Sequence, residues 1–527
     1  MQTARLYDGV RYMMNGPLQQ ANGVSTEGQA SFDKKGRPEQ VVLTGAVHFN
    51  ERVRAPGAET NPWSERELGA DRLELALGAD GAGKAQLRDA KASGSARLKM
   101  VDAPRDKKGP VSSALAGDVL TAHFVQADGV TRITDAHGMG HTALRRVSET
   151  GAEDTSSGET MDVRFRIAAA EKSGAGQGAE EIATAVQQGG VVMTHTPVRK
   201  PGDASAPTEQ RAMAQKAVYD GTTKWMTLTG GVQVKDEAGS VLWADKVAME
   251  QGSGDGVAEG SVKASYQQPK AGQGQGDVVH VLAARAELKR AEDQAIFYGG
   301  AGRPARLWQG GSQVEAPVLQ FEQRQRRLVA RGEGQGSPMA VHTVLVGRGS
   351  GKAGAGKAGA GNGGAVRVAS RELIYSDESR KAEFSGGVEV ENAAGRMRGQ
   401  DAIAYLQAAA GGNKPVAAVG TAEVKTAGLP GGFMGGSVER IVVTGQVEME
   451  QPGRRATGEQ LVYTASDGLF VLTGTAAAPP KIMDETRGMV TGASLRFHSG
   501  DESVVISNGE NAGAGQRVRT ETRVKKN

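Results

Sequence analysis

Residues 228–250 read LTGGVQVKDEAGSVLWADKVAME. In the first run, Leu228, Gly230, Val232 and Val234 fall on one face and Thr229, Gly231 and Gln233 on the other. Period-two alternation is the pattern of a half-buried β-strand. Glycine inside such a run marks a bulge, a bend or a close backbone approach. KDEAGS then supplies turn chemistry. The second run, ADKVAM at 244–249, alternates again.

Working outward, the first run has close copies at 43–49 (LTGAVHF), 384–390 (FSGGVEV) and 443–449 (VTGQVEM). Glycine at one place in every copy predicts a bend built into each unit of a repeat. The second run, a small or acidic residue followed by apolar-x-apolar, recurs with its first apolar residue at Leu73, Leu120, Met161, Val247, Leu319, Leu373, Ile403, Leu461 and Leu495. Weaker copies lie near Val218 and Ala286. The mean step is about 42 residues, with variable loops, which is the signature of a repetitive β array. At about twelve residues per strand and turn the chain would make roughly 40 strands in a sheet on the order of 100 Å long. Helical patterning near 207–217 and 283–294 lacks caps and a sustained 3.6-residue face. The chain reads as all-β.

Composition narrows the class. The 527 residues include 76 glycines, no cysteine, 4 Trp, 8 Tyr and 10 Phe. Glycine and proline together stay below the roughly 25–30% of low-complexity disorder. Without cysteine there are no disulfides, zinc ribbons, Fe–S sites or thiol nucleophiles. A net charge of +3 with mixed signs gives no polyelectrolyte field for nucleic acid. No apolar run approaches the ~18 residues of a membrane helix. Met1 to Asp8 lacks the basic and apolar regions of a signal peptide.

The repeats divide into an N-terminal set (1–200), a central set (210–347) and a C-terminal set (366–527), expected to form one continuous sheet system. A Gly/Ala/Lys flexible tract separates the last two at 348–365. Shorter inserts lie at 51–66, 172–180, 197–209, 252–256, 270–277 and 408–414.

Chemical motifs are weak. Gly351 with Gly356-Lys357-Ala358 has phosphate-loop spacing, but Ala replaces the magnesium-holding Ser or Thr and no helix follows. His137 and His141 are four apart, yet the glycines between them oppose a zinc-binding helix, and a solvated turn is the plainer reading. No G-x-S-x-G elbow exists. Asp501-Glu502 and Glu180-Glu181 read as solvated charge in turns. No catalytic residue, metal site or cofactor is nominated. The apolar strand faces remain, suited either to a closed core or to an open groove that binds acyl chains.

T-G-G-V (229–232) with A-D-K-V-A-M (244–249) resembles the repeat of the OstA-like family, which includes the lipopolysaccharide-transport protein LptA and the periplasmic domain of the translocon LptD. S-G-G-V (385–388) with Q-D-A-I-A-Y (400–405), T-G-Q-V (444–447) with G-E-Q-L-V-Y (458–463), and T-G-A-V (44–47) with A-D-R-L-E-L (70–75) match the same pattern. The family's usual Asn after T-G is Gly, Ala or Gln here, and the loops are inflated. The resemblance implies an elongated twisted β-jellyroll, a V-shaped trough of two sheets with acyl chains between them. It also implies a periplasmic, non-enzymatic lipopolysaccharide carrier. Edge strands would pair with an LptC-like subunit of the inner-membrane transporter, with an LptD-like translocon, or head-to-tail with a second copy. Strand alternation nominates the trough lining as Leu43, Val47, Leu73, Leu75, Leu228, Val232, Val234, Val247, Met249, Leu319, Phe321, Val388, Val390, Ile403, Tyr405, Val447, Leu461 and Tyr463. The competing readings are a structural β-solenoid or surface adhesin, and a polysaccharide-active β-helix enzyme.

Overall fold

The computed structural model describes residues 2–17, 19–54, 62–79, 85–102, 109–127, 130–167, 180–198, 209–236, 239–266, 278–332, 341–346, 365–407, 437–485, 488–498, 504–507 and 519–521. Among them are 36 strands, paired antiparallel, and no helix. Of the segments near 207–217 and 283–294, residues 210–217 and 283–289 lie in the strands Gln210–Asp220 and Val279–Lys289, and 290–293 form the turn after the latter. The phosphate-loop-like tract, most of the 348–365 stretch, the inserts 270–277 and 408–414, and Asp501-Glu502 lie outside the described residues.

The bend foreseen at the T-G pair is a β-bulge. In Trp225–Lys235, Thr229 pairs with Lys246 and Val232 with Ala244, so Gly230 and Gly231 together oppose Asp245 alone. Both glycines have positive φ, +85° and +62°. Two successive left-handed residues swing the strand from one sheet into the other, a turn that a bulge makes possible without ending the ladder. The same step occurs between Thr44 and Val47, Ser93 and Ala96, Gln188 and Val191, and Thr444 and Val447. The second corner position also takes Ala46, Ser95, His141 and Gln446, all at φ between 45° and 50°.

The chain divides into two compact units, residues 1–237 with 241–256 and residues 238–240 with 257–527. The divide falls inside the 210–347 stretch.

In the first unit each long strand has two arms around its corner. Full burial is concentrated beside the corner, as at Val47, Ala70, Leu73, Ala92, Ala96 and Leu120. Leu43, Leu68, Leu75, Leu98 and Leu115 pack against this spine but stay half-buried. Away from it, the inward column of one arm runs Leu75, Ala90, Ala122, Ala136, Val163 through register partners. The other arm's column runs Phe49, Leu68, Leu98, Leu115, Leu144.

The second unit has the same two-sheet topology with shorter strands. One inward column runs Phe321, Leu328, Tyr375, Ala382, Ala404, Ile441, Tyr463, Phe470, Phe497. The facing sheet supplies Leu307, Val314, Thr343, Val368, Val390, Met397, Met449. Nearly all are fully buried. Aromatic rings fill this interior, with Phe470 stacked 5.2 Å from Phe497 and tilted by 32° against Tyr463 at 4.7 Å.

Candidate functional site

The site that this architecture offers is the inward apolar face of each unit. Of the lining residues read from sequence, Val47, Leu73, Leu228, Val232 and Val247 are buried beside corners of the first unit, while Leu43, Leu75, Val234 and Met249 are half-buried. Leu319, Phe321, Val388, Val390, Val447 and Leu461 are buried in the second unit, and Tyr463 lies on the same face as Leu461 against Phe470.

Ile403 and Tyr405 lie on the opposite face. Ala402, Ala404 and Leu406 are the buried positions of Asp401–Leu406. Ile403 pairs with Glu383, and Tyr405 lies beside the outward cations Lys381 and Arg440, the Arg440 guanidinium 4.2 Å from its ring centre. The physical reason is one residue of phase. Asp245 and Glu459 occupy their corners, but in Q-D-A-I-A-Y the corner residue is Gln400, whose Cβ lies only 2.8 Å from where a Cβ on Gly445 would sit. A slip of one moves every side chain to the other face.

His137 and His141 do not lie in a turn but in Val130–Val147, with His141 at the corner. His137 bonds the Asp162 carboxylate, and His141 Nδ1 is 3.0 Å from Asp118 Oδ2. They serve different partners, and among the described residues no group of three or more His, Asp or Glu is placed to hold a metal. Glu180 and Glu181 open the strand Glu180–Thr196 rather than a turn.

Sequence reasoning missed a polar tie across the inward face of the first unit. Ser156 donates to Gln187 Oε1, Gln187 Nε2 reaches Thr142 Oγ1 at 3.5 Å, and Thr142 donates to the Gly158 carbonyl at 2.9 Å. Gln187 and Thr142 are buried, so these bonds offset their desolvation. The only sequence signal was polar residues where the inward pattern calls for apolar ones. A shallow concavity of about 580 Å³ borders the same arm, lined by Leu98, Leu115 and Leu144 of the leucine column together with neighbours of the opposite parity such as Ala114, Ala116 and Ala143.

The class defined by these features is a repetitive, corner-bent, two-sheet β protein with an apolar inward face. Residues 367–502, about a quarter of the chain, match the family model described as "LptA/(LptD N-terminal domain) LPS transport protein". Thus the resemblance read from the T-G repeats holds in the second unit. LptH, the LptA-homologous periplasmic component of the lipopolysaccharide transport device of Pseudomonas aeruginosa, aligns at 18% identity over 26% of this chain and 95% of its own, with a TM-score of 0.22. A TcdB2-TccC3 structure without its hypervariable C-terminal region aligns at 8% identity over 92% of this chain and 35% of its own, with a TM-score of 0.08. Neither superposition carries an argument at such scores. No curated protein sequence matches the chain.

Proposed function

We propose that this protein is a non-enzymatic, periplasmic lipopolysaccharide-binding and transport protein that holds lipid A acyl chains against its inward apolar face. The observation that carries the reading is the family match over 367–502. The inward columns support it, because they present apolar surface in a continuous series, and burying such surface is worth about 25 cal/mol per Å². Chemistry on the lipid has no part in this reading.

The partners are an LptC-like periplasmic subunit of the inner-membrane transporter, an LptD-like translocon, or a second copy docked head-to-tail. Edge strands support this. Among the described residues, Gln2–Leu6 pairs only with Glu27–Phe32 and Val10–Asn15 only with Gln19–Ser25. Leu6 and Met13, exposed by 57% and 76%, lie on these strands. Unpaired edges are templates for strand addition.

In-cell photo-crosslinking tests the reading. A photoreactive residue at the inward Val234 is expected to capture lipopolysaccharide, and one at the outward Gln233 is not. Capture at Gln233 alone would remove the trough assignment. A structural scaffold is the second reading, favoured by the filled interior of the second unit. Depletion of the protein separates the two, since loss of lipopolysaccharide from the outer membrane supports transport and an unchanged outer membrane supports the scaffold.

A further inference from the structure

On the first strands of the first unit lies a concavity of about 480 Å³. Five strands line it, Val10–Asn15, Gln19–Ser25, Pro38–Val53, Ser64–Ala79 and Ala85–Asp102. Register sets its floor in two rows. Asn22, Asn50, Glu67 and Lys99 are successive partners, and so are Asn15, Gln20, Arg52 and Glu65. Strands stand ~4.8 Å apart, so the floor is a strip on the order of 20 Å long. The first row alternates with Phe49, Leu68 and Leu98, none of which lines the concavity. Of the inward parity only Ala21, Glu51 and Arg66 reach it. It therefore lies apart from the inward apolar columns.

Its charges cancel. Arg52, Arg66 and Lys99 stand with Glu51, Glu65 and Glu67. Arg52 is 3.0 Å from Glu65, Arg66 is 3.7 Å from Glu51, and His48 is 3.7 Å from Glu67. Balanced and paired in this way, they give no net attraction for a phosphate or a metal cation. Among them stand four side-chain amides, Asn15, Gln20, Asn22 and Asn50. Each amide offers two donors and one acceptor oxygen. Asn50 Nδ2 lies 3.1 Å from His48 Nε2, whereas the other three make no side-chain hydrogen bond among the described residues. Asparagine is depleted in strands, yet Asn22 and Asn50 sit mid-strand and directly opposite one another. The volume is that of a small-ligand pocket, but such pockets are mostly apolar. A polar, charge-balanced one suits a neutral ligand dense in hydroxyls, since a hydroxyl both donates and accepts. Met13 and Val101 add apolar contact for ring carbons.

We propose that this concavity is a saccharide site, which holds a short neutral stretch of oligosaccharide by its hydroxyl groups. The site goes beyond acyl-chain binding and does not depend on it. The recognised chemistry is the sugar ring, whether in a glycolipid head or in a free glycan.

The test applies the full chain to an array of neutral and acidic glycans, beside Asn22→Val and Asn50→Val. Valine favours a strand more than asparagine does, so both variants are expected to melt no lower than the parent. Gln20→Ala replaces either variant that does not fold. Binding to neutral hexose oligosaccharides is expected, weakened about fivefold by each substitution, as for the loss of one hydrogen bond. Inorganic phosphate is expected not to compete. Binding confined to acidic glycans, or displaced by phosphate, would overturn the neutral class. Binding unchanged in the folded variants, or binding to no glycan, would overturn the site. Competition by rough lipopolysaccharide would place the sugar in a glycolipid head, and its absence would make the source a free glycan, the site standing in both cases. Capture of lipid at Val234 is read separately, so failure of the saccharide site leaves the transport role standing.

Discussion

Gly230 and Gly231 are neighbours at one corner, both with positive φ, yet they are not equivalent. A Cβ on Gly230 would lie 2.7 Å from Gln215 Cβ, while one on Gly231 would meet nothing within 4 Å. Gly230→Ala therefore combines left-handed strain with a clash and is expected to destabilise by about 2–3 kcal/mol. Gly231→Asn adds a residue that tolerates the left-handed region and is expected to cost under about 1 kcal/mol. Urea unfolding of the two variants checks this, and equal losses would contradict the crowding argument. This corner was legible because glycine recurs at a fixed strand position. The phase of the facing strand was less legible. Acidic residues mark the corner at Asp71, Asp118 and Asp245, but Asp401 follows its corner by one residue, and Ile403 and Tyr405 were drawn inward with it. Two apolar residues with one between them look the same in sequence whichever face they take.

At the scale of strands and turns, the two units differ in their titratable turns and in the make-up of their cores. Five carboxyls among the described residues are held below their ordinary range, and all lie in the first unit. The Arg37 backbone N–H lowers Asp33, Arg88 and then His123 lower Asp89, and Arg145 lowers Glu153. The Thr222 and Thr223 N–H groups lower Asp220, and the Ser253 hydroxyl and backbone lower Glu250. A carboxyl depressed by folding contributes stability that is complete above its unfolded pKa, near 4, and lost as pH falls through its folded value. The first unit should therefore loosen below about pH 4, at turns such as 33–37, 220–224 and 250–255. Amide hydrogen exchange, corrected for its intrinsic pH dependence, is expected to quicken at these turns between about pH 5 and pH 3 more than within 366–406, and the reverse order would refute the assignment. The second unit's core is built around aromatic rings. Phe470 lies between Tyr463 and Phe497, so Phe470→Ala is expected to cost about 3–5 kcal/mol. A thermal melt of that variant reads the loss directly.

For the whole molecule, the two units share one inward pattern, which is why the sequence left groove and core undecided. Alternation records which face a side chain takes and says nothing about how far the opposite sheet stands off. Lipid held on the inward face of one unit stabilises that unit. A ligand present at about 100 times its dissociation constant adds about 2.7 kcal/mol to the state that binds it. For a unit of about 250 residues this corresponds to roughly 5–10 °C. Calorimetry of the full chain is expected to show two transitions, with Phe470→Ala lowering that of the second unit and so identifying it. Rough lipopolysaccharide is expected to raise the transition of whichever unit holds it. If neither transition rises, no acyl chain is held on an inward face, and the proposed transport role is wrong.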